Sequence, residues 1–156
     1  MTGDELRSIM RRFPSGVCVV TADADGDRIG VTIGSLVSLS LEPPLVGVAV
    51  GKANALHEIV RSAGAFGVSF LRGDQADLAA RFALGMPPLP LWEGVDVRGG
   101  TTGAPLLADA LGWLECRVDA QHEVGDHTLF VGEVVAVEEG KPGTGLVYRE
   151  HGYHAV

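Results

Sequence analysis

The chain has 156 residues, 46% of them apolar, and its 20 acidic and 12 basic side chains give a formal net charge of −8. This length fits one domain over 1–156, which can bury roughly two-thirds of its unfolded surface without disulfides or metal ions. The acidic balance and scattered basic residues argue against a nucleic-acid partner. The apolar runs are too short for a membrane helix and the first residues lack the pattern of a secretory signal, so we expect a cytoplasmic protein.

Cysteine and histidine spacing predicts neither a disulfide nor a metal site. Cys18 and Cys116 each lie within an apolar strand pattern and far apart in sequence, which predicts buried free thiols. The five histidines lack zinc-ligand spacing, no nucleophile motif is present, and no catalytic side chain is assigned. An anionic cofactor needs only one or two local cations, and four lie near glycine-rich or strand-end positions: Arg28, Lys52, Arg72 and Arg81.

The first third of the chain is predicted to form a helix followed by a β meander. Apolar residues at helical spacing predict a helix from Glu5 to Phe13, with Asp4 as its cap. A polar segment over 23–27 with strong turn chemistry then separates two runs rich in β-branched residues. Strands are expected at 17–22, 28–33, 36–41 and 45–50.

The middle of the chain alternates helical and strand patterns. Asn54 is expected to cap a helix that ends near Gly64, and a strand from Phe66 to Leu71 follows. Asp74 is expected to cap a second helix that ends near Gly85. The Pro/Gly-rich segment Met86 to Pro105 predicts a long irregular loop, and a loop of that length is more often functional than idle.

The last third predicts a long hairpin and one short strand. Strand-like runs from Leu111 to Val118 and from Leu129 to Val137 flank the polar segment 119–128, with the turn at Gly125-Asp126. Leu146 to Tyr148 is the last strand. Seven or eight strands with few helices favour a small closed or half-open barrel, which buries apolar faces without long exposed edges.

The segment from Gly30 to Val50 has the residue types of a ligand-binding backbone. It is rich in glycine and serine, and such a backbone can approach a flat or anionic ligand closely. The alternative is a pair of ordinary strands joined by polar turns, since no GxGxxG or phosphate-loop spacing is present. His127 has two similar interpretations, because a histidine between a Gly-Asp turn and a strand can contact a planar ligand or be a solvated turn residue.

Short motifs in order along the chain resemble those of the short flavin reductases of the FMN-binding split-barrel class, the reductase components of two-component monooxygenases. They are FPSGV (13–17), VVT (19–21), GVT (30–32), SLSLEPPL (38–45), FGVS (66–69), LAARF (78–82), GAPLL (103–107), LEC (114–116) and GDHT (125–128). The resemblance runs from Leu6 to Tyr153. It departs from the family at Gly34-Ser35-Leu36, where Ser-Ser-Phe is frequent, and in the segment 86–93, which lacks a basic residue often found there.

The resemblance implies a mainly β fold, a six-stranded antiparallel split barrel with Greek-key topology and a few peripheral helices, assembled as a homodimer. It implies an NAD(P)H-dependent flavin reductase that supplies reduced FMN or FAD to a partner monooxygenase, with FMN as the first expectation for the flavin and NADH or NADPH as co-substrate. Two alternatives stay open, a flavoprotein that retains FMN as an electron carrier or sensor, and an oxidase similar to the pyridoxamine-phosphate type at the fold level only.

The same resemblance implies the site residues. Those expected at the flavin are Thr32, Ile33, Gly34, Ser35, Ser38, Leu39, Ser40, Lys52, Asn54 and Phe82. His127 and Tyr153 are the residues expected at the nicotinamide.

Overall fold

The computed structural model describes residues 1–85 and 87–156 and contains four helices among them. The helices are α1 (Gly3–Met10), α2 (Ala55–Ala63), α3 (Ala76–Ala83) and α4 (Pro88–Trp92). The strands are β1 (Ser15–Gly16), β2 (Cys18–Ala24), β3 (Asp27–Ile33), β4 (Val37–Leu41), β5 (Pro44–Gly51), β6 (Ala65–Phe70), β7 (Val97–Gly99), β8 (Pro105–Leu107), β9 (Gly112–Val124), β10 (His127–Glu139), β11 (Leu146–Arg149) and β12 (Gly152–Ala155).

Seven strands form one antiparallel sheet in the order β3-β2-β6-β9-β10-β5-β4. The two ends of this order, β3 and β4, follow each other directly in the chain, so the split of the barrel lies beside the segment 34–36 that joins them. The predicted fold class is confirmed, with seven strands in the main sheet where six were expected. Two small sheets, β1-β11-β12 and β7-β8, complete the fold.

The hairpin of β9 and β10 is longer than predicted. Each strand has 13 residues, and the polar segment expected to separate them is largely strand, with the turn at Gly125-Asp126 as expected. The far part of β9 is exposed, so it carries the polar residues that hydrophobic periodicity assigns to loops. The backbone ladder of an antiparallel pair does not require apolar side chains.

Helix α2 is the element that the sequence predicts best. The Asn54 side chain accepts a hydrogen bond from the Leu56 N–H at 2.9 Å, and Leu56 and Val60 are buried on the inner face. Gly64 ends the helix with a left-handed φ of 65°, a conformation that favours glycine. Both predicted ends of this helix are therefore confirmed.

The predicted capping residues of α1 and α3, Asp4 and Asp74, are wrong. Helix α1 begins after Thr2, whose side chain accepts from the Glu5 N–H while the Glu5 carboxylate accepts from the Thr2 N–H. This reciprocal pair satisfies two free N–H groups at once, which Asp4 alone does not do. Helix α3 begins after Gln75 without a side-chain cap, because Asp74 pairs with Arg72 at 3.4 Å instead.

The segment between α3 and β8 is more ordered than the predicted loop. Met86 lies outside the described residues, and α4 and β7 follow it. Glu115 of β9 fixes the next turn, since its carboxylate accepts from the backbone N–H and hydroxyl groups of Thr101 and Thr102 at 2.7–3.1 Å. These contacts join residues distant in sequence, so local composition does not reveal them.

The core fills the inside of the curved sheet and the space under α2 and α3. Its largest fully buried side chains include Phe66, Phe82, Phe130 and Leu56. Cys18 and Cys116 are buried and free, as predicted, and burial raises the pKa of each thiol to about 12. No helix in the described residues is long and apolar enough to span a membrane.

Candidate functional site

A cleft runs along β3 and continues past its end at the split of the barrel. One part is a cavity of about 470 Å³ between β3, the start of α2 and the end of α3, with Asn54 and Phe82 in its walls. The other is a cavity of about 270 Å³ lined by Thr32, Ile33, Gly34 and Tyr153. Ala83 lines both, so the two cavities are neighbours. The cleft thus brings together six of the twelve residues predicted to bind the flavin or the nicotinamide.

Close packing under this cleft depends on two glycines, Gly30 in β3 and Gly34 just after it. A Cβ atom at Gly30 would lie 2.7 Å from the Phe82 ring, and one at Gly34 would lie 2.6 Å from Ser15 Oγ. Phe82 is buried, so it forms the floor of the cavity. The glycine at position 34 therefore leaves room for the Ser15 hydroxyl.

Several predicted ligand groups also hold the protein's own backbone. The Thr32 hydroxyl donates to the Ala79 carbonyl at 2.7 Å and so ties β3 to α3. The Ser35 hydroxyl donates to the Ala49 carbonyl at 3.0 Å and accepts from the Ala49 N–H at 3.2 Å, which continues the pairing of β5 beyond β4. These bonds fix the positions of the Thr32 and Ser35 backbone on both sides of the split.

Lys52 and Asn54 lie at the entry to α2. Lys52 pairs with Glu123 of β9 at 3.1 Å, and its N–H donates to the Asp126 carbonyl at 2.9 Å. The Asn54 side-chain oxygen caps the helix, which leaves its amide NH₂ group for a ligand in the cavity that it lines. Asn54 thus lies in the cleft, whereas Lys52 lies outside the two cavities.

Regular alternation along a strand would place Ser38 and Ser40 on one face of β4, but the pairing of β4 with β5 does not keep that alternation. Ser38 is opposite Val46 and Ser40 is opposite Leu45, the residue next to Val46. One residue of β4, Leu39, therefore has no partner of its own in β5. This β-bulge at Leu39 places the two serines on opposite faces of the strand. The Leu39 side chain packs over Gly47 and is still 46% exposed. Ser38, Leu39 and Ser40 all lie outside the two cavities.

His127 begins β10 immediately after the Gly125-Asp126 turn. It is half exposed, lies opposite Gly51 of β5, and its Nδ1 is 2.7 Å from Asp126 Oδ1. The hydrogen bond from His127 lowers the pKa of the Asp126 carboxyl, which keeps that group ionised and holds the ring. Gly51 precedes Lys52, so His127 lies at the same end of the sheet as the entry to α2.

Tyr153 is brought to the cleft by the small sheet at the end of the chain. It lies opposite Tyr148 in the register of β11 and β12, with ring centroids 5.2 Å apart. Burial, and to a smaller extent Tyr148, raises the pKa of Tyr153, so its hydroxyl is a hydrogen-bond donor at neutral pH.

Five residues that line the two cavities of the cleft were not predicted from the sequence. Ser15, Val17 and Tyr148 line the same cavity as Tyr153, and Gly85 and Pro87 line the larger one. The FPSGV motif contains Ser15 and Val17, so it held a signal for their position. Tyr148 and Pro87 carried no such signal, because only the folded chain brings them to β3.

The groups that line the site are suited to binding a ligand. The cleft offers apolar walls, hydroxyls and amides, and no group of three or more metal-ligating side chains occurs in the part of the chain that the structure describes. A small split barrel with an elongated, partly apolar cleft along an edge strand is the class of protein that these features define.

Comparison with known proteins identifies the family. Residues 10–156 match the family described as "Flavin reductase like domain". The reductase component of 4-hydroxyphenylacetate 3-monooxygenase from Thermus thermophilus is 39% identical over 150 residues, covering 96% of this chain and 94% of that protein. A probable flavin reductase from Rhizobium meliloti is 39% identical over 149 residues, and the match covers 95% of this chain but only 47% of that protein.

A solved structure has the same fold. The NADH:FAD oxidoreductase SgcE6 from Streptomyces globisporus, in complex with NAD and FAD fragments, superposes with a TM-score of 0.89 and is 35% identical, covering 97% of this chain and 90% of that one. The 156-residue chain itself belongs to the flavin reductase-like family. The family resemblance seen in the sequence is thereby confirmed.

Proposed function

We propose that this protein is an NAD(P)H-dependent flavin reductase that supplies reduced FMN or FAD to a partner monooxygenase, acting in the cytoplasm as a single domain over 1–156. The observation that carries the proposal is the cleft along β3, whose two neighbouring cavities are lined by Asn54 and Phe82 in one case and by Thr32–Gly34 and Tyr153 in the other. Family membership and the similarity to an NADH:FAD oxidoreductase support it. Two buried, free thiols fit a reducing compartment.

The cleft fits a flavin in size and in chemistry. Cavities of about 470 and 270 Å³ together fall within the range of small-molecule sites, ~300–1,000 Å³. The Phe82 floor and the Val17 and Ile33 side chains provide apolar surface for a ring system. The Asn54 amide and the first N–H groups of α2 favour an anionic group such as a phosphate at the other end.

When bound, the flavin supplies the redox chemistry by accepting a hydride from NAD(P)H. The chain's own residues bind and orient the two nucleotides. Thr32 and Ser35 fix the backbone at the split, and Gly34 allows a ligand to approach it. His127 and Tyr153 are the proposed contacts of the nicotinamide. Such alignment of two reactants is the main contribution of a protein whose cofactors perform the chemistry.

We further propose a homodimer, supported by an unusual set of exposed apolar side chains. Leu41 of β4 is 89% exposed, Val137 of β10 is 71% exposed and Phe13 after α1 is 67% exposed. Val37 and Leu39 add to the apolar surface of β4, which is an edge strand of the main sheet. Exposed apolar surface at an edge strand favours association, and a second copy would also cover the open side of the split.

Anaerobic spectroscopy tests the reductase function directly. Addition of NADH to the protein with FMN or FAD should abolish the visible absorbance of the oxidised flavin, at a rate that increases with the concentration of the protein. Flavin that bleaches with dithionite but not with NADH or NADPH would refute the proposal and favour a carrier that retains its flavin. Gel filtration after reduction then separates release of the flavin from retention.

A further inference from the structure

An open groove of about 800 Å³ beside the cleft has no part in the proposed hydride transfer. It lies between the β2–β3 turn, α2 and α4. Ile29 and Ala55 line both this groove and the larger cavity of the cleft, so the two spaces adjoin. A ligand long enough to pass Ile29 and Ala55 would reach from the cleft to the groove.

The groove holds a positioned arginine. The Arg28 guanidinium lies over the Trp92 ring, 4.6 Å from its centroid, and Trp92 Nε1 donates to the Arg28 carbonyl at 3.3 Å. Trp92 is itself buried, with the edge of the Phe82 ring against it. The ion pairs among the described residues do not involve Arg28. Its guanidinium is thus held over the ring of Trp92 without a direct ion pair to a described carboxylate.

We infer that this groove binds the adenosine diphosphate half of a dinucleotide and that Arg28 recognises its phosphates. A guanidinium stacked on an aromatic ring is pre-organised for phosphate oxygens, so less side-chain freedom is lost on binding. Ile59 and Pro90 offer apolar contact to the adenine. Asp27 and Glu93 also line the groove, and their carboxylates suit ribose hydroxyls but repel an additional phosphate.

The direction of β3 favours FAD as the source of this group. Arg28 and Gly34 lie at opposite ends of the strand, about 20 Å apart at ~3.3 Å per residue. A flavin ring near Gly34 would thus direct its phosphate past Asn54 toward Arg28. This choice of FAD rests on the proposed function, because it assumes that the flavin ring lies in the cleft. It predicts that the protein binds FAD more tightly than FMN.

Titration calorimetry on the full chain tests the groove with ADP, FMN and FAD. The wild-type protein should bind ADP, and it should bind FAD about tenfold more tightly than FMN. Arg28→Ala should remove this difference and the binding of ADP, while the dissociation constant of FMN stays within twofold. Arg117→Ala, which removes an exposed arginine of β9 away from the groove, serves as the matched control and should change none of these values.

The possible results separate a failure of the groove proposal from a failure of the proposed reductase function. ADP that does not bind, or ADP and FAD affinities unchanged in Arg28→Ala, would overturn the inference. If FAD and FMN bind equally and Arg28→Ala weakens NADH but not reduced nicotinamide mononucleotide, the groove binds the adenylate of NADH instead. ADP binding that depends on Arg28, without bleaching of flavin by NADH, would leave the groove intact and refute the reductase. Should Arg28→Ala melt early, Arg28→Gln provides the same comparison, because it removes the charge and keeps most of the side-chain length.

Discussion

His127 is the residue at which a structural and a functional role are easiest to separate. Its ring is held by Asp126 and points from a half-exposed turn, so it contributes little to the buried core. His127→Ala should remove an interaction with nicotinamide worth about 1–2 kcal/mol, which raises KM for NADH roughly five- to thirty-fold. Steady-state kinetics at fixed flavin concentration measure this effect.

The control for His127 is His122→Ala, which removes another exposed histidine of the same hairpin. Its KM for NADH should match that of the wild type. Flavin affinity and melting temperature should hardly change in either variant, since exposed side chains contribute little to folding. A lower melting temperature with normal NADH kinetics would make His127 a structural turn residue.

Ser38 and Ser40 provide a second comparison at the residue scale. The bulge at Leu39 turns their hydroxyls to opposite faces of β4, and Ser38 is the more exposed of the two. Ser38→Ala is expected to weaken flavin binding more than Ser40→Ala, because the half-buried Ser40 is next to the turn and supports the backbone. Fluorescence titration of both variants measures the flavin dissociation constants, and equal values would contradict the placement.

At the scale of elements, Glu115 determines how the segment between β7 and β8 is held. Burial alone would raise the pKa of the Glu115 carboxyl, but hydrogen bonds from Thr102 and Thr101 outweigh it and the net pKa is lowered. A folded-state pKa below the unfolded value stabilises the protein above the unfolded pKa of about 4.3, and this stabilisation is lost as pH falls through the folded pKa.

Glu115→Gln should therefore lower the free energy of unfolding by about 3 kcal/mol at neutral pH, since hydrogen bonds to a buried charge are lost. For a chain of this size we expect a melting temperature reduced by roughly 5–10 °C. Calorimetric scans between pH 7 and pH 3 should show the gap between variant and wild type narrowing as the wild-type carboxyl becomes protonated. A gap that stays constant over this range would mean that the charge of Glu115 has no role.

At the scale of the whole molecule, the exposed apolar side chains of β4 and β10 predict the dimer. Light scattering at micromolar concentration should give twice the chain mass. The double substitution Val37→Asp and Leu41→Asp should produce monomers with weaker flavin binding, because it places charges on the apolar edge strand. A wild-type monomer that binds flavin tightly would refute both the dimer and a site completed by the partner subunit.

The sequence by itself determined the order and type of most elements, the fold class and the family. Local signals were sufficient for α2, where Asn54 and Gly64 act on their immediate neighbours, and for the Gly125-Asp126 turn. The buried state of Cys18 and Cys116 followed from the apolar strand patterns around them. These features depend on interactions within a few residues or on hydrophobic periodicity, both of which are present in a single sequence.

The tertiary structure alone decided how distant segments meet. The stacking of Arg28 on Trp92 joins residues 64 apart, and Tyr153 reaches Thr32 only through the sheet formed by β1, β11 and β12. The bulge at Leu39 turns Ser38 and Ser40 to opposite faces of β4, because strand register depends on the pairing partner as well as on the strand itself. Contacts of this kind leave no periodic trace in the chain, since their energy comes from packing between elements.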